Sequence, residues 1–454
     1  MAKYDYDFIV IGSGAAGSVA AAMAARSGKR VAMIEAGKLG GDSANFGDVP
    51  LQTLLHVAHT YQEAKKTTSF GIRAGTIGYN FPTIQSWKEK VVSRVGNGNT
   101  QRYYDSLGVH VIKGRAHFIS EREISINRRH ISADNILIAS GAEWTIPEIP
   151  GLSSIEYHTP STILNVTRPP KSMFIVGAGS TSVELARLFS IFGSKVYISE
   201  IAPRILPRED QETGELAQEI LEKEHSATVL LETRVLRIKK DGLGARVYFA
   251  HGQSEKSVRV DEVLVATGKS PCVDIGLENA KVKYTPRGIE VNEYLQTSNK
   301  HISAAGDVLG GFGLTHVALM ESRTVAHNIL HKQKRPSDYA AVPRVTCLNP
   351  EIASVGYSED DLIKRDLEYI KAIVPISIIG RANISNQKYG FTKILADKKT
   401  HQVLGATVVS PHASEIIHEI TLAISHDLTT EDIAASMHAF PSWSESVRIA
   451  CSKI

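Results

Sequence analysis

One pattern occurs twice in this chain, and it decides what most of the chain can fold into. The apolar run Phe8-Ile-Val-Ile-Gly12 leads into a glycine-rich turn, a small-residue helix over roughly Ala15 to Arg26, and a second run, Arg30-Val-Ala-Met-Ile-Glu35. The run Ser172-Met-Phe-Ile-Val-Gly177 opens a second copy, with a helix over roughly Thr181 to Phe192 and the run Lys195-Val-Tyr-Ile-Ser-Glu200. In each copy a glutamate follows the first glycine by 23 residues. Strand, turn, helix and strand with these periodicities make a βαβ unit. Two such units predict an α/β protein with two tandem Rossmann-like nucleotide-binding domains.

The turns carry the chemistry. In Gly12-Ser-Gly-Ala-Ala-Gly17, Gly12 permits the tight turn and Gly14 lets a pyrophosphate approach the backbone. Gly17 lets helix and strand pack closely, and the helix N-terminus offers unpaired N–H groups and a positive dipole end. Glu35 ends the second strand, where a carboxylate accepts from a ribose hydroxyl. A lone glycine turn would be weak; strand, helix and acid in register make it a nucleotide site. The second turn reads Gly177-Ala-Gly179-Ser-Thr-Ser182. Ser182 stands at the third glycine position, which implies a slightly looser helix–strand contact. Glu200 favours NADH, because a carboxylate pairs with a free 2′-hydroxyl and repels a 2′-phosphate. Arg204 lies close enough in sequence to keep NADPH open.

The 454 residues allow roughly three domains at about 150 residues each. Pro-rich Trp144-Thr-Ile-Pro-Glu-Ile-Pro-Gly151 closes the first segment. The expected division is 1–150 and 151–270 for the two nucleotide-binding domains, 271–337 returning to the first, and 338–454 as a separate C-terminal domain. In that last part, strands are predicted at Thr392–Ala396 and Val403–Ser410 and a helix at Ala413–Ser425. The net charge of +3 gives no reason to expect nucleic acid or a membrane surface as partner. No apolar stretch is long enough to span a bilayer and no signal-peptide pattern opens the chain, so a cytoplasmic protein is expected. Cys272, Cys347 and Cys451 form neither a CxxC pair nor a metal-spaced cluster. His56 and His59 are one helical turn apart, and the plain reading is two histidines on a partly exposed helix rather than metal ligands.

Further short motifs run the length of the chain: Ile138-Ala-Ser140-Gly141, Ala266-Thr-Gly268, Ala305-Gly-Asp307, Leu314-Thr315-His316, and Asn349-Pro-Glu-Ile-Ala-Ser-Val-Gly356. Gly390-Phe-Thr-Lys393 and Leu404-Gly-Ala406 complete the set. Together with the two fingerprints they resemble the class I pyridine nucleotide-disulfide oxidoreductases, the family of dihydrolipoamide dehydrogenase, glutathione reductase and mercuric reductase. The resemblance implies FAD in the first nucleotide domain, NADH in the second, and an α+β C-terminal domain that makes a homodimer. It implies that Asp307 bonds the ribityl or phosphate region of FAD. Leu314 and Thr315 should lie near the pyrimidine end of the flavin, and Ala116 should meet the adenine part through its backbone. Ser140, Gly141 and Gly268 would line the cofactor sites, with Glu184 beside the nicotinamide and flavin N5. The far end of the C-terminal domain would complete the partner's active site.

The same frame exposes departures. The family's redox segment reads roughly Gly-Gly-Thr-Cys-x-Asn-x-Gly-Cys-Val-Pro-x-Lys; here it is Gly40-Gly-Asp-Ser-Ala-Asn-Phe-Gly-Asp-Val-Pro-Leu-Gln52. Ser43 and Asp48 thus stand where the resemblance implies two cysteines, and Gln52 where it implies a lysine. Phe440 precedes Pro441 where the disulfide reductases carry a histidine; Glu445 is kept. Phe440 cannot transfer protons, and His438 is a weak candidate substitute. Asp48, Glu184 and Glu445 are the candidate catalytic residues. For Asp48, a proton donor on the acceptor side competes with a simple helix cap near Pro50. Two functions stay open: an FAD-dependent NAD(P)H oxidoreductase that passes electrons to a small non-disulfide acceptor (quinone, flavin, oxygen or metal ion), and an FAD/NAD-binding homologue with a regulatory or structural role.

Overall fold

The computed structural model describes residues 4–454, with nothing said of the Asn97 side chain. Residue contacts divide the chain into two compact units. The first comprises residues 1–54, 82–145 and 268–338; the second comprises 55–81, 146–267 and 339–454.

The first unit is built on a sheet whose parallel strands are Val109–Lys113, Val31–Glu35, Tyr6–Ile11, Arg129–Ile138 and Ile302–Ala304. The strand interiors are continuously apolar: Phe8 to Val10, Val31 to Ile34 and Ile136 to Ile138 are all buried. That is the composition of a parallel sheet covered on both faces. One covering helix, Ala15–Arg26, follows the first strand after three residues and buries Ala16, Ala20, Ala21 and Ala24. Such small side chains let a helix lie close to the sheet. A second, Thr315–Leu330, packs on the same core through Ala318, Val325 and Ala326. Strands Ala142–Trp144 and Lys269–Pro271 pair antiparallel, with Lys269 opposite Trp144.

The second unit holds a four-stranded parallel sheet in the order Thr228–Leu230, Lys195–Ser199, Ser172–Val176, Glu262–Val265. Its helix Ser180–Ile191 starts one residue before the sequence expectation. A three-stranded antiparallel meander, Thr233–Asp241, Gly244–His251 and Ser254–Val260, packs into the same core. The last part of the unit is a five-stranded antiparallel sheet that includes the expected strands as Phe391–Asp397 and Val403–Ser410. Helices Ala413–Ser425 and Glu445–Cys451 bury their apolar sides against it. The α/β class, with two parallel nucleotide-type sheets and an α+β C-terminal part, is therefore observed.

Candidate functional site

Both glycine turns are as tight as the sequence requires. A side chain on Gly12 would meet the Ala139 carbonyl oxygen at 2.2 Å, and one on Gly17 would meet the Gly12 oxygen at 1.9 Å. Gly12 and Gly177 take φ of 100° and 96°, a region L side chains rarely adopt. In the second turn, a side chain on Gly177 would meet the Ala266 oxygen at 2.6 Å, whereas Gly179 faces open space. Ser182 fits at its position, 1% exposed, and its Oγ is buried without a hydrogen-bond partner among the described residues.

Each terminal glutamate is held by its own turn. Glu35 Oε2 accepts from the Ser13 backbone N–H at 2.9 Å and from Ser13 Oγ at 2.6 Å, and Oε1 accepts from Gly37 N–H at 2.6 Å. Glu200 accepts from Ala178 N–H at 2.9 Å and Ala202 N–H at 3.0 Å. Both carboxylates are fixed next to their own glycine turn. Arg204 is engaged elsewhere: its guanidinium lies 3.0 Å from Asp360.

The rest of the first unit's cradle assembles around Asp307. Gly306, Asp307, Gly311, Gly313 and Leu314 line a recess together with Glu321. Gly141, Gly268, Gly311 and Gly313 face open space, as a cradle for an extended cofactor needs. Ser140 Oγ donates to the Cys272 carbonyl at 2.8 Å, and Ala116 is buried in the sheet core. Burial pushes the Asp307 carboxyl above its usual range; Lys269 opposes this, while Asp42 and Asp48 add to it. Open glycines, a buried acid and a helix N-terminus at Thr315 make a donor set that fits a dinucleotide.

Asp48 is the first residue of the helix Asp48–Lys66, two residues earlier than expected. Its Oδ2 accepts from Ser43 Oγ at 2.7 Å and from Thr315 Oγ1 at 2.6 Å. The carboxylate therefore sits at the N-terminal ends of two long helices, where dipoles and N–H groups favour negative charge. The two positions at which the sequence frame implies cysteines are thus joined by a hydroxyl–carboxylate hydrogen bond. Sequence reasoning passed over Asp42, Lys269 and Trp144. Lys269 lies 2.7 Å from Asp42 and 3.8 Å from Asp307, with its ammonium 5.0 Å from the Trp144 ring. Its place directly after Gly268 was the available signal.

In the second unit, Glu184 Oε1 accepts from the Cys347 backbone N–H at 2.7 Å, and Arg187 donates to the Cys347 carbonyl at 2.9 Å. His438 turns inward: its side chain is 6% exposed and Nε2 lies 2.8 Å from Glu419, an ion-pair distance without hydrogen-bond alignment. Phe440, two residues on, is 77% exposed. Glu445 starts the last helix, with a buried Oε2 that has no hydrogen-bond partner among the described residues. None of the three cysteines forms a disulfide. Burial pushes the Cys272 thiol up to about 11 and the Cys451 thiol up to about 12. Asp210, Glu212 and Glu359 are spaced like metal ligands, but the Lys393 ammonium fills the position a cation would take.

Two dinucleotide folds with glycine cradles, followed by an antiparallel interface sheet, define a flavin- and nicotinamide-dependent oxidoreductase. The family model described as pyridine nucleotide-disulphide oxidoreductase matches residues 6–322, and that family's dimerisation domain matches residues 342–451. The chain is 32% identical to mercuric reductase of Staphylococcus aureus, over 98% of this chain and 82% of that one. It is 33% identical to dihydrolipoyl dehydrogenase of Geobacillus stearothermophilus, over 96% and 93%. Among solved structures it resembles the Cu(II) complex of the HOCl-induced flavoprotein disulfide reductase RclA from Escherichia coli. That match has a TM-score of 0.89 and 29% identity, over the whole of both chains. The chain belongs to the pyridine nucleotide-disulphide oxidoreductase family. Its cofactors are FAD and, as electron donor, NAD(P)H. No helix among the described residues is long and apolar enough to cross a membrane.

Proposed function

We propose that this enzyme passes electrons from NADH through FAD to a small acceptor that is not a disulfide. The observation that carries the reading is the Ser43–Asp48–Thr315 hydrogen-bond chain. It occupies the positions at which the sequence frame implies a cysteine pair, and a hydroxyl and a carboxylate cannot exchange with a disulfide. Two of the chain's three thiols are held protonated by burial, which removes their nucleophilic form.

The flavin, when bound, supplies the two-electron chemistry. The chain's own residues then divide the work. Gly12, Gly14, Gly17, Glu35, Ala116, Ser140, Gly141, Asp307, Leu314 and Thr315 would hold FAD. Gly268 would join the first unit's cradle, while Gly177, Gly179, Ser182 and Glu200 would serve the nicotinamide nucleotide. Glu184, fixed by the Cys347 N–H, would line the nicotinamide side, and Glu445 would act at the far end of the dimerisation domain. Asp48 would form the wall on the acceptor side. Its carboxylate accepts two hydroxyl hydrogen bonds, which orient Ser43 and Thr315 toward that side.

NADH is the preferred donor, because Glu200 is fixed where a 2′-phosphate would be repelled and Arg204 is tied to Asp360. The kcat/KM for NADH should exceed that for NADPH at least tenfold, and a higher value for NADPH would refute the role of Glu200. The decisive experiment is anaerobic NADH titration followed by flavin absorbance, then reoxidation by quinones, free flavin, oxygen, metal ions, lipoamide and oxidised glutathione. Fast reoxidation by either disulfide would overturn the proposal.

A further inference from the structure

Three carboxylates from two distant stretches, Asp42 and Asp48 in one and Asp307 in the other, gather in the first unit beside one ammonium, that of Lys269. The lysine is anchored by backbone pairing opposite Trp144 and lies over that indole ring. Its side chain is only 25% exposed, so its charge is less screened than a surface lysine's. Burial alone would lower its pKa; Asp42 first, then Asp307 and Asp48, outweigh burial and hold it above the usual lysine value. Two of the three acids depart from the sequence frame, which implies threonine where Asp42 stands and cysteine where Asp48 stands.

We propose that Lys269 sets the charge balance of the FAD pocket, and with it both the affinity for the cofactor and the reduction potential of the flavin. The inference rests on the reading that FAD occupies the first fingerprint. Without the ammonium, the wall would present three carboxylates to a cofactor that already carries a pyrophosphate. Reduction moves further negative charge onto the flavin, so a cation in this wall favours the reduced form and each carboxylate disfavours it. Asp42 has a double role, since it adds negative charge and tethers the lysine.

The test is the midpoint potential of the purified flavoprotein, measured by anaerobic equilibration with a reference dye, together with its FAD dissociation constant. Lys269→Gln should lower the potential by about 30 mV, which is a tenfold change in a two-electron equilibrium, and weaken FAD binding about tenfold. Asp42→Asn should raise the potential by a similar amount. The double variant should return near the wild-type value, and Lys269→Arg should stay close to it. An unmoved potential in Lys269→Gln, or shifts of the same sign in both single variants, overturns the inference. Wild-type protein that binds no FAD would instead sink the underlying placement of the cofactor. If Lys269→Gln folds but holds no flavin, its role in affinity is upheld. If it does not fold, Asp42→Asn decides: an upward shift supports the inference and an unchanged potential ends it.

Discussion

Two lysines in this chain each face three carboxylates, and the two clusters are built in opposite ways. Lys393 is wholly buried, and its ammonium lies 2.6 Å from Asp210, 2.5 Å from Glu212 and 2.6 Å from Glu359. Lys269 keeps a quarter of its side chain exposed and holds only Asp42 closely; Asp307 stands off at 3.8 Å. The first cluster is closed, with every donor of the lysine used on an acid. The second is open, and its spare carboxylates are turned to hydroxyls and to a recess lined with glycines. A closed charge knot maintains a fold, whereas an open one remains available to a ligand.

The largest expected effect lies in the closed knot. Lys393→Met should leave three carboxylates without their shared cation. Breaking a buried pair this way costs roughly 3–5 kcal/mol, which should appear as a large drop in the thermal midpoint. Lys269→Met should cost about 1 kcal/mol or less, because its partners stay in reach of water. Equal losses in the two variants would erase the distinction between closed and open.

A smaller effect separates the acids of the open cluster. Asp48→Asn keeps the shape and the helix-starting role but removes the charge. Reoxidation by the true acceptor should fall about tenfold, near 1.4 kcal/mol, while reduction by NADH stays near normal in stopped-flow absorbance. Unchanged reoxidation in Asp48→Asn would leave Asp48 as a helix-starting residue alone.

The smallest effect is in acid. Burial by itself would raise the Glu359 carboxyl, but hydrogen bonds from Lys371, Lys393 and Tyr369 outweigh it and bring its pKa down to about 2. Because the folded pKa lies below the ordinary 4.5, the stabilisation is complete above pH 4.5 and is lost as pH falls toward 2. Asp210 works against this, since burial raises its pKa despite Lys393. Denaturant titrations from pH 5 to 2.5 should therefore show a shallower loss of stability in Glu359→Gln than in the wild type. A parallel loss in both would mean that Glu359 is not the linked group.

The nucleotide turns were legible because their chemistry is local. Gly12, Gly14, Gly17 and Glu35 lie within a single βαβ unit, and period and spacing suffice to read them. The inward turn of His438 toward Glu419 was not legible: the helix Ala413–Ser425 that carries Glu419 is predicted, but its packing against His438 is set only in the folded chain. The charge clusters were hidden for the same reason: Asp42 and Lys269 are 227 residues apart, and neither carries a periodic signal. Lys393 did fall inside a short motif, Gly390 to Lys393, but a motif names a residue without naming its partners. Asp42 lay within the segment that drew attention at Ser43 and Asp48, yet only pairing with Lys269 gives it a role.

The burial of the cysteines bears on how such an enzyme would fail. Thiophilic electrophiles react with the thiolate form of a cysteine. Cys451 is 2% exposed, and the Cys272 thiol ionises only near pH 11. Under the proposed function, with Ser43 and Asp48 on the acceptor side, the electron path offers no cysteine pair to capture. Exposure to such agents should then leave turnover intact at doses that silence a dithiol enzyme.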